Sequence, residues 1–216
     1  MKSRPRTLSL LQDYLDGEFS WRLKEIADLK IAVRQSELLR QKTVIRAAIP
    51  LLYAHWEGFV KKASSGYLEF VDYQGHKYQE LMSCFIVIGL KKSLNEVSDS
   101  KRSHTSISAV EFILDELSKN TNLKLDSAIN TKSNLGSVVF ENISLAIGLD
   151  PTPYKTKYKL IDESLLKRRN NIAHGEYLDV NSDEYRDLAD EVIGLIRGFK
   201  TDIENAATME KYKRPA

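Results

Sequence analysis

Ile45–Tyr67 reads IRAAIPLLYAHWEGFVKKASSGY, and its apolar positions decide the fold class. Ile45, Ile49, Leu52, Trp56, Phe59, Ala63 and Tyr67 succeed one another by three or four residues. That spacing places side chains on one face of an α-helix. The pattern predicts a helix over about 41–72. Pro50 lies inside the stripe and removes one backbone hydrogen bond, which predicts a kink there.

Helical periodicity continues on both sides of this stretch. Upstream, Phe19, Leu23, Ile26, Ile31 and Val33 mark an amphipathic helix over about 18–38. Downstream, a third helix is expected at about 76–91, a loop over the Ser-, Lys- and Asp-rich segment 92–108, and a short helix near 107–119. Residues 120–134 are polar, with weak alternation at Leu123 and Leu125 that has room for a short strand at most. Residues 135–147 read as a helix stopped by Gly148. Asp150 to Pro153 reads as a loop, and two last helices are expected at about 159–174 and 182–207. There is no internal repeat and no glycine-rich phosphate loop. The expectation is one all-α domain over 1–216, its core at about 18–207, with 1–17 and 208–216 peripheral.

A chain of 216 residues buries enough apolar surface to fold without a disulfide or a metal. Its net charge of +2 argues against a wholly basic nucleic-acid-binding domain and leaves room for a local basic patch. The single cysteine, Cys84, allows no intramolecular disulfide and reads as a small buried hydrophobe. His55, His76, His104 and His174 are far apart and show no ligand spacing, so neither a metal site nor a cofactor is expected. No apolar run approaches the ~18 residues of a membrane span. The basic start is soon interrupted by Gln12, Asp13 and Asp16, which is not the pattern of a signal peptide. A cytoplasmic location is the expectation.

Charge divides sharply near the end of the chain. Residues 151–174 carry six basic and two acidic groups, whereas 176–210 carry three basic and ten acidic ones. The two segments can be solvated faces with a weak mutual attraction, or the first can collect an anionic substrate. On a helical wheel with Leu165 at zero, Ile161, Ile172, Ala173 and Leu166 span an apolar arc with Arg169 in its middle, at about 40°. Asn170 and His174 fall beyond its edge, at about 140° and 180°. A guanidinium on an apolar face is costly unless it is paired or placed at an interface. Arg169 and His174 stand about 140° apart on a straight helix. Gly175 is a natural stop that leaves His174 on a frayed last turn.

These residue types suit RNA cleavage. The substrate brings its own nucleophile, the ribose 2′-hydroxyl. Histidine moves protons near neutral pH, and arginine presents a rigid fork to phosphate oxygens. Asparagine can hold the phosphate or orient the imidazole. The bare Arg/His pair fits equally a helix terminus whose dipole the histidine stabilises.

Arg169-Asn170-Asn171-Ile172-Ala173-His174-Gly175 resembles the signature of the HEPN superfamily (higher eukaryotes and prokaryotes nucleotide-binding): an arginine, often followed by asparagine, then a histidine four to six residues on. A second block, from Leu51 to Lys61, resembles the second helix of stand-alone bacterial HEPN proteins of the MAE-type and RiboL-PSP-associated groups. Asn134-Leu135 and Ile147-Gly148-Leu149-Asp150 fit the same groups. The resemblance runs from about residue 18 to 205. It implies a helical bundle with extra helices and loops inserted between an N-terminal and a C-terminal helix pair. It also implies a homodimer with facing motifs and metal-independent endoribonuclease activity of toxin–antitoxin or phage-defence type. RNA would be the substrate, and an antitoxin or other regulatory protein a candidate partner. The other reading it allows is a non-catalytic dimeric module that binds nucleotide, RNA or a partner protein. Carried over by position, Arg169 would steady the phosphorane, Asn170 would position it, and His174 would serve in acid–base chemistry.

Around this core stand accessory candidates. Arg46, Tyr53 and Glu57 share one stripe of the second helix, which is either a solvated edge with a local ion pair or part of the site, with Glu57 then the expected partner of Arg169. Arg168 adds to the local positive charge. Tyr177 follows His174 by three residues, where packing or substrate stacking is its expected role.

Overall fold

The computed structural model describes residues 4–99, 102–123 and 134–215. Helix α1 (Leu8–Gln35) and helix α2 (Leu38–Tyr73) form a long hairpin. A 3-10 turn (Tyr78–Glu80), α3 (Ser83–Asp99), α4 (Ser103–Glu116) and α5 (Ser137–Ala146) follow. The chain then runs through a 3-10 segment (Thr152–Lys157), a π-helical segment (Leu160–Lys167), the short α6 (Arg168–Ala173) and the long α7 (Ser182–Thr208). Helix α7 packs on both α1 and α2, while α3 and α4 pair with each other. The expected all-helical bundle with an insertion between two helix pairs is therefore what forms. Among the described residues there is no strand, only two isolated bridges, Lys77 to Asn120 and Leu81 to Lys213.

The stripe on α2 lies at the centre. Ile45, Ile49, Leu52, Trp56, Phe59, Ala63 and Tyr67 are all buried, in one contiguous apolar cluster. Helix α2 runs through Pro50 without interruption. Helix α7 begins at Asn181, whose side-chain oxygen accepts from the Glu184 N–H at 2.9 Å, and Asp183 and Glu184 in its first turn suit the helix dipole. Its buried face repeats helically through Tyr185, Leu188, Ala189, Val192, Leu195, Ile196, Phe199 and Ile203.

Three boundaries differ from the sequence reading, each for a tertiary reason. Helix α1 begins at Leu8, not near 18, because Thr7 caps it and Leu11 and Leu15 reach the core. The C-terminal segment is not peripheral either. Tyr212 is buried with its ring 6.0 Å from that of Phe70, and its carbonyl accepts from Met82 N–H at 2.9 Å. The segment expected as a loop at 92–108 is mostly helix, since α3 continues to Asp99 and α4 starts at Ser103. Lys92 lies on the exposed face, while Leu94 and Val97 turn partly inward. The weak alternation at Leu123 gives no strand: Leu123 is buried and donates its N–H to Asp72 at 2.8 Å. Leu125 lies outside the described residues. Cys84 is half-buried, and burial pushes its thiol up to about 11.

The α1–α2 hairpin also buries charge. Arg22 donates to the Glu18 carboxylate at 2.6 Å and lies over the rings of Trp21 and Phe59. His55 is 4% exposed, with Nε2 3.2 Å from a Glu25 carboxylate oxygen. Burial holds the His55 pKa below its ordinary value; nearby Arg22 acts in the same direction and Glu25 opposes. As pH falls through the unfolded-state value of about 6.5, the unfolded chain therefore takes up a proton first, and stability drops until the folded pKa is reached. Melting temperature is expected to fall on acidification from pH 7.5 to 5.5 in the wild type, and to fall less in His55→Leu. Parallel melting curves for the two proteins across that range would refute this assignment.

Candidate functional site

The signature residues sit where two kinds of helix meet. Residues Leu160–Lys167 are wound as a π-helix and Arg168–Ala173 as an α-helix. A π-helix closes its hydrogen bonds over five residues rather than four. This rotates the 168–174 turn relative to the face that carries Ile161 and Leu165, so a uniform wheel does not carry through. Ile161 and Leu165 are fully buried as expected, but Ala173 is exposed, and Arg169 is half-buried rather than set in the middle of an apolar face.

Arg169 is held by neutral groups. Its Nη1 donates to Asn170 Oδ1 at 2.7 Å and reaches Asn134 Oδ1 at 3.5 Å. Its guanidinium lies 5.0 Å from the centre of the Tyr53 ring. None of these partners carries charge, so together they orient the guanidinium while leaving its positive charge to act on an anion. Glu57, expected to pair with Arg169, stands near enough to Tyr53 to act on its phenol. The Tyr53 oxygen also accepts the Leu135 N–H at 2.5 Å. Burial, the larger cause, together with Glu57 pushes the Tyr53 phenol up to about 12, against the Leu135 N–H and Arg169, so it stays protonated at neutral pH.

His174 is the C-cap of α6, and its side chain is exposed. The turn is not frayed. Glu176 N–H donates to the Asn171 carbonyl at 2.9 Å and Gly175 N–H to the Ile172 carbonyl at 3.1 Å, the paired bonds of a Schellman cap. Gly175 has φ +77, a conformation in which a Cβ is strained. Within one chain, then, Arg169 faces Tyr53 and Asn134, whereas His174 stands in solvent at the helix end.

The other accessory candidates divide. Arg46 donates to the Glu176 carbonyl at 2.8 Å and so anchors the loop after the motif. Arg168 forms an ion pair with Glu184 at 3.7 Å. Tyr177 is 76% exposed, so it packs little against its own chain. Sequence reasoning missed Lys42, which pairs with Asp179 at 2.8 Å. It also missed the part played by Asp162, which accepts Ser137 N–H at 2.7 Å and Ser137 Oγ–H at 2.6 Å and so caps α5. At Gly136 a Cβ would stand 3.0 Å from that carboxylate, which accounts for the glycine. No local signal marks either contact, because both join residues far apart in the chain.

Among the described residues no group of three or more His, Cys, Asp or Glu side chains is arranged to hold a metal ion, and no helix is long and apolar enough to cross a membrane. The arrangement offers an oriented guanidinium, an exposed imidazole and flanking cations. That set can bind a phosphodiester and move a proton. The model of a protein family described as RiboL-PSP-HEPN matches residues 18–205. No curated protein and no solved structure matches the chain.

Proposed function

The chain belongs to the RiboL-PSP-HEPN family, and from that membership we propose that it is a metal-independent endoribonuclease of toxin–antitoxin or phage-defence type. The observation that carries this reading is the Arg169 guanidinium, fixed by neutral partners within a motif that ends in the exposed His174. The substrate 2′-oxygen forms a bond to phosphorus, and the bond to the 5′-oxygen breaks. This leaves a 2′,3′-cyclic phosphate and a free 5′-hydroxyl. His174 takes the proton of the 2′-hydroxyl, and a second acid, an imidazole or water, protonates the departing 5′-oxygen. Arg169 meets the charge that develops on phosphorane oxygens, and Asn170 positions Arg169. Because RNA supplies the nucleophile and arginine the cation, the chemistry calls for no metal.

Purified protein incubated with a mixed RNA pool in EDTA tests this reading. Cleavage to products with cyclic phosphate ends, at a rate that depends on a group titrating near neutrality, is the expected result. RNA that is bound but left intact would instead identify a binding module.

We further propose a homodimer with a shared site. The burial of Arg169 no longer argues for it, since Tyr53, Asn134 and Asn170 accommodate the guanidinium inside one chain. The argument is the divergence of Arg169 and His174, which a second copy facing the first resolves. Sedimentation equilibrium at micromolar concentration is expected to give twice the 24.7 kDa chain mass. Mixing Arg169→Ala with His174→Ala chains is expected to restore part of the activity that each lacks. A monomeric mass, or no recovery after verified subunit exchange, rejects the shared site.

A further inference from the structure

We propose that the cleft between α1 and α7 is a binding site for a small amphipathic carboxylate, its acid group held by Arg34 and Tyr185 and its apolar chain laid along Leu23, Ala27 and Ile193. The inference is independent of the nuclease reading, since no residue of the 169–175 motif lines this cleft. The two helices run antiparallel: Asp16 meets Lys200 at 2.8 Å, and Lys30 meets Asp190 at 2.5 Å. Between them lies a cavity of about 590 Å³, a volume that suits a small ligand.

Antiparallel packing gives this cavity two unlike ends. At one end Leu23 and Ala27 of α1 stand near Ile193 of α7 and offer apolar surface. Ile31, 43% exposed, continues the α1 stripe, in which each residue follows the last by four. Toward the other end, the register set by Lys30 and Asp190 brings Arg34, in the last turn of α1, level with Tyr185 and Arg186 in the first two turns of α7. Tyr185 is fully buried, and its hydroxyl has no hydrogen-bond partner among the described residues. Burial pushes that phenol up to about 12, so at neutral pH it is a donor that needs an acceptor. Arg34 is exposed and forms no ion pair among the described residues. The other cations beside the cavity are engaged, Lys30 by Asp190 and Arg186 by Asp183 and Asp187.

A lone arginine at a helix C-terminus is satisfied by water and the helix dipole. A buried hydroxyl without an acceptor is not satisfied. Together, at one end of an apolar trough, they select a chemistry. A carboxylate accepts from the phenol and meets the guanidinium, and its chain leaves water along the trough. A cationic head would face Arg34 with like charge.

The probe is dodecanoate, titrated by calorimetry into the full chain below its micelle concentration, beside dodecylamine. Dodecanoate is expected to fill one saturable site, and dodecylamine to bind far more weakly. Tyr185→Phe should weaken dodecanoate roughly tenfold. It should melt no lower than the wild type, since the lost hydroxyl bonds nothing in the free chain. Arg34→Gln should weaken binding about threefold to fivefold and remove its salt dependence, while Arg34→Lys keeps both. Ala27→Trp fills the trough from an exposed position, so it should keep the fold and abolish binding. No binding of dodecanoate by the wild type, equal binding of dodecylamine, or full affinity in Ala27→Trp or Tyr185→Phe overturns the proposal. So does a lower melting temperature for Tyr185→Phe, which would mean that the hydroxyl is already satisfied. A fall in sedimentation mass of ligand-free Ala27→Trp would make the trough a contact between copies. Binding to phosphatidylglycerol vesicles without binding of free dodecanoate would make it a surface for membranes. Either result rejects the small-ligand site.

Discussion

His174→Ala is expected to lower RNA cleavage by about a hundredfold to ten-thousandfold, the contribution of a positioned acid–base group. Its fold should survive. The side chain is exposed, and the cap it belongs to is made by backbone groups of Asn171, Ile172, Gly175 and Glu176. A surface replacement of this kind shifts stability by about 0.5 kcal/mol or less, so unaltered melting beside lost cleavage isolates the chemistry. Arg169→Ala should cost about as much activity, through loss of charge stabilisation. It also removes the contacts to Asn170, Asn134 and Tyr53. Arg169→Lys is therefore the better control, since it keeps the charge and loses the planar fork. It should retain a small part of the activity. If the protein is a toxin, the wild-type chain should slow the growth of a bacterial host, and either alanine variant should relieve this at equal soluble level. Cleavage by His174→Ala at the wild-type rate would remove histidine from the mechanism.

Phe140→Ala should produce the largest loss of stability. Phe140 is fully buried on α5, with its ring centre 5.1 Å from Trp56, 5.0 Å from Tyr154 and 5.4 Å from Phe199. It therefore joins α2, the 3-10 segment and α7 at one point. Truncating such a ring costs about 3–5 kcal/mol, from lost transfer energy and the cavity left behind. For a chain of this size that is a fall in melting temperature of about 10 °C. The site should feel the change, because α5 begins at the turn where Leu135 meets Tyr53 and Asn134 meets Arg169. Activity below the melting range should drop more in Phe140→Ala than in Phe140→Leu. A melting temperature within 1–2 °C of wild type would mean that this point is not the junction of the core.

The sequence by itself determined the helical class, the central place of α2, the end of α6 at Gly175 and the identity of the signature residues. All of these depend on short-range rules: the periodicity of apolar side chains, the left-handed freedom of glycine and the spacing within one motif. The same rules failed where distant contacts compete. Helix α1 extends to Leu8 because Leu11 and Leu15 find a core that no local pattern announces, and Tyr212 is buried by Phe70 and held through its carbonyl by Met82. Only the tertiary structure decided what surrounds Arg169. The π-helical segment turns the motif relative to the preceding face, and no residue spacing reveals that change of winding. Glu57, a helical neighbour of Tyr53 at four residues, acts on the phenol. Arg169 is held by Asn134 and Tyr53, brought from distant parts of the chain, and Tyr177 faces solvent because Lys42 and Arg46 on another helix fix its loop. A guanidinium on a wheel has a direction but no partners. Its partners are chosen by the packing of helices, which is a property of the whole chain.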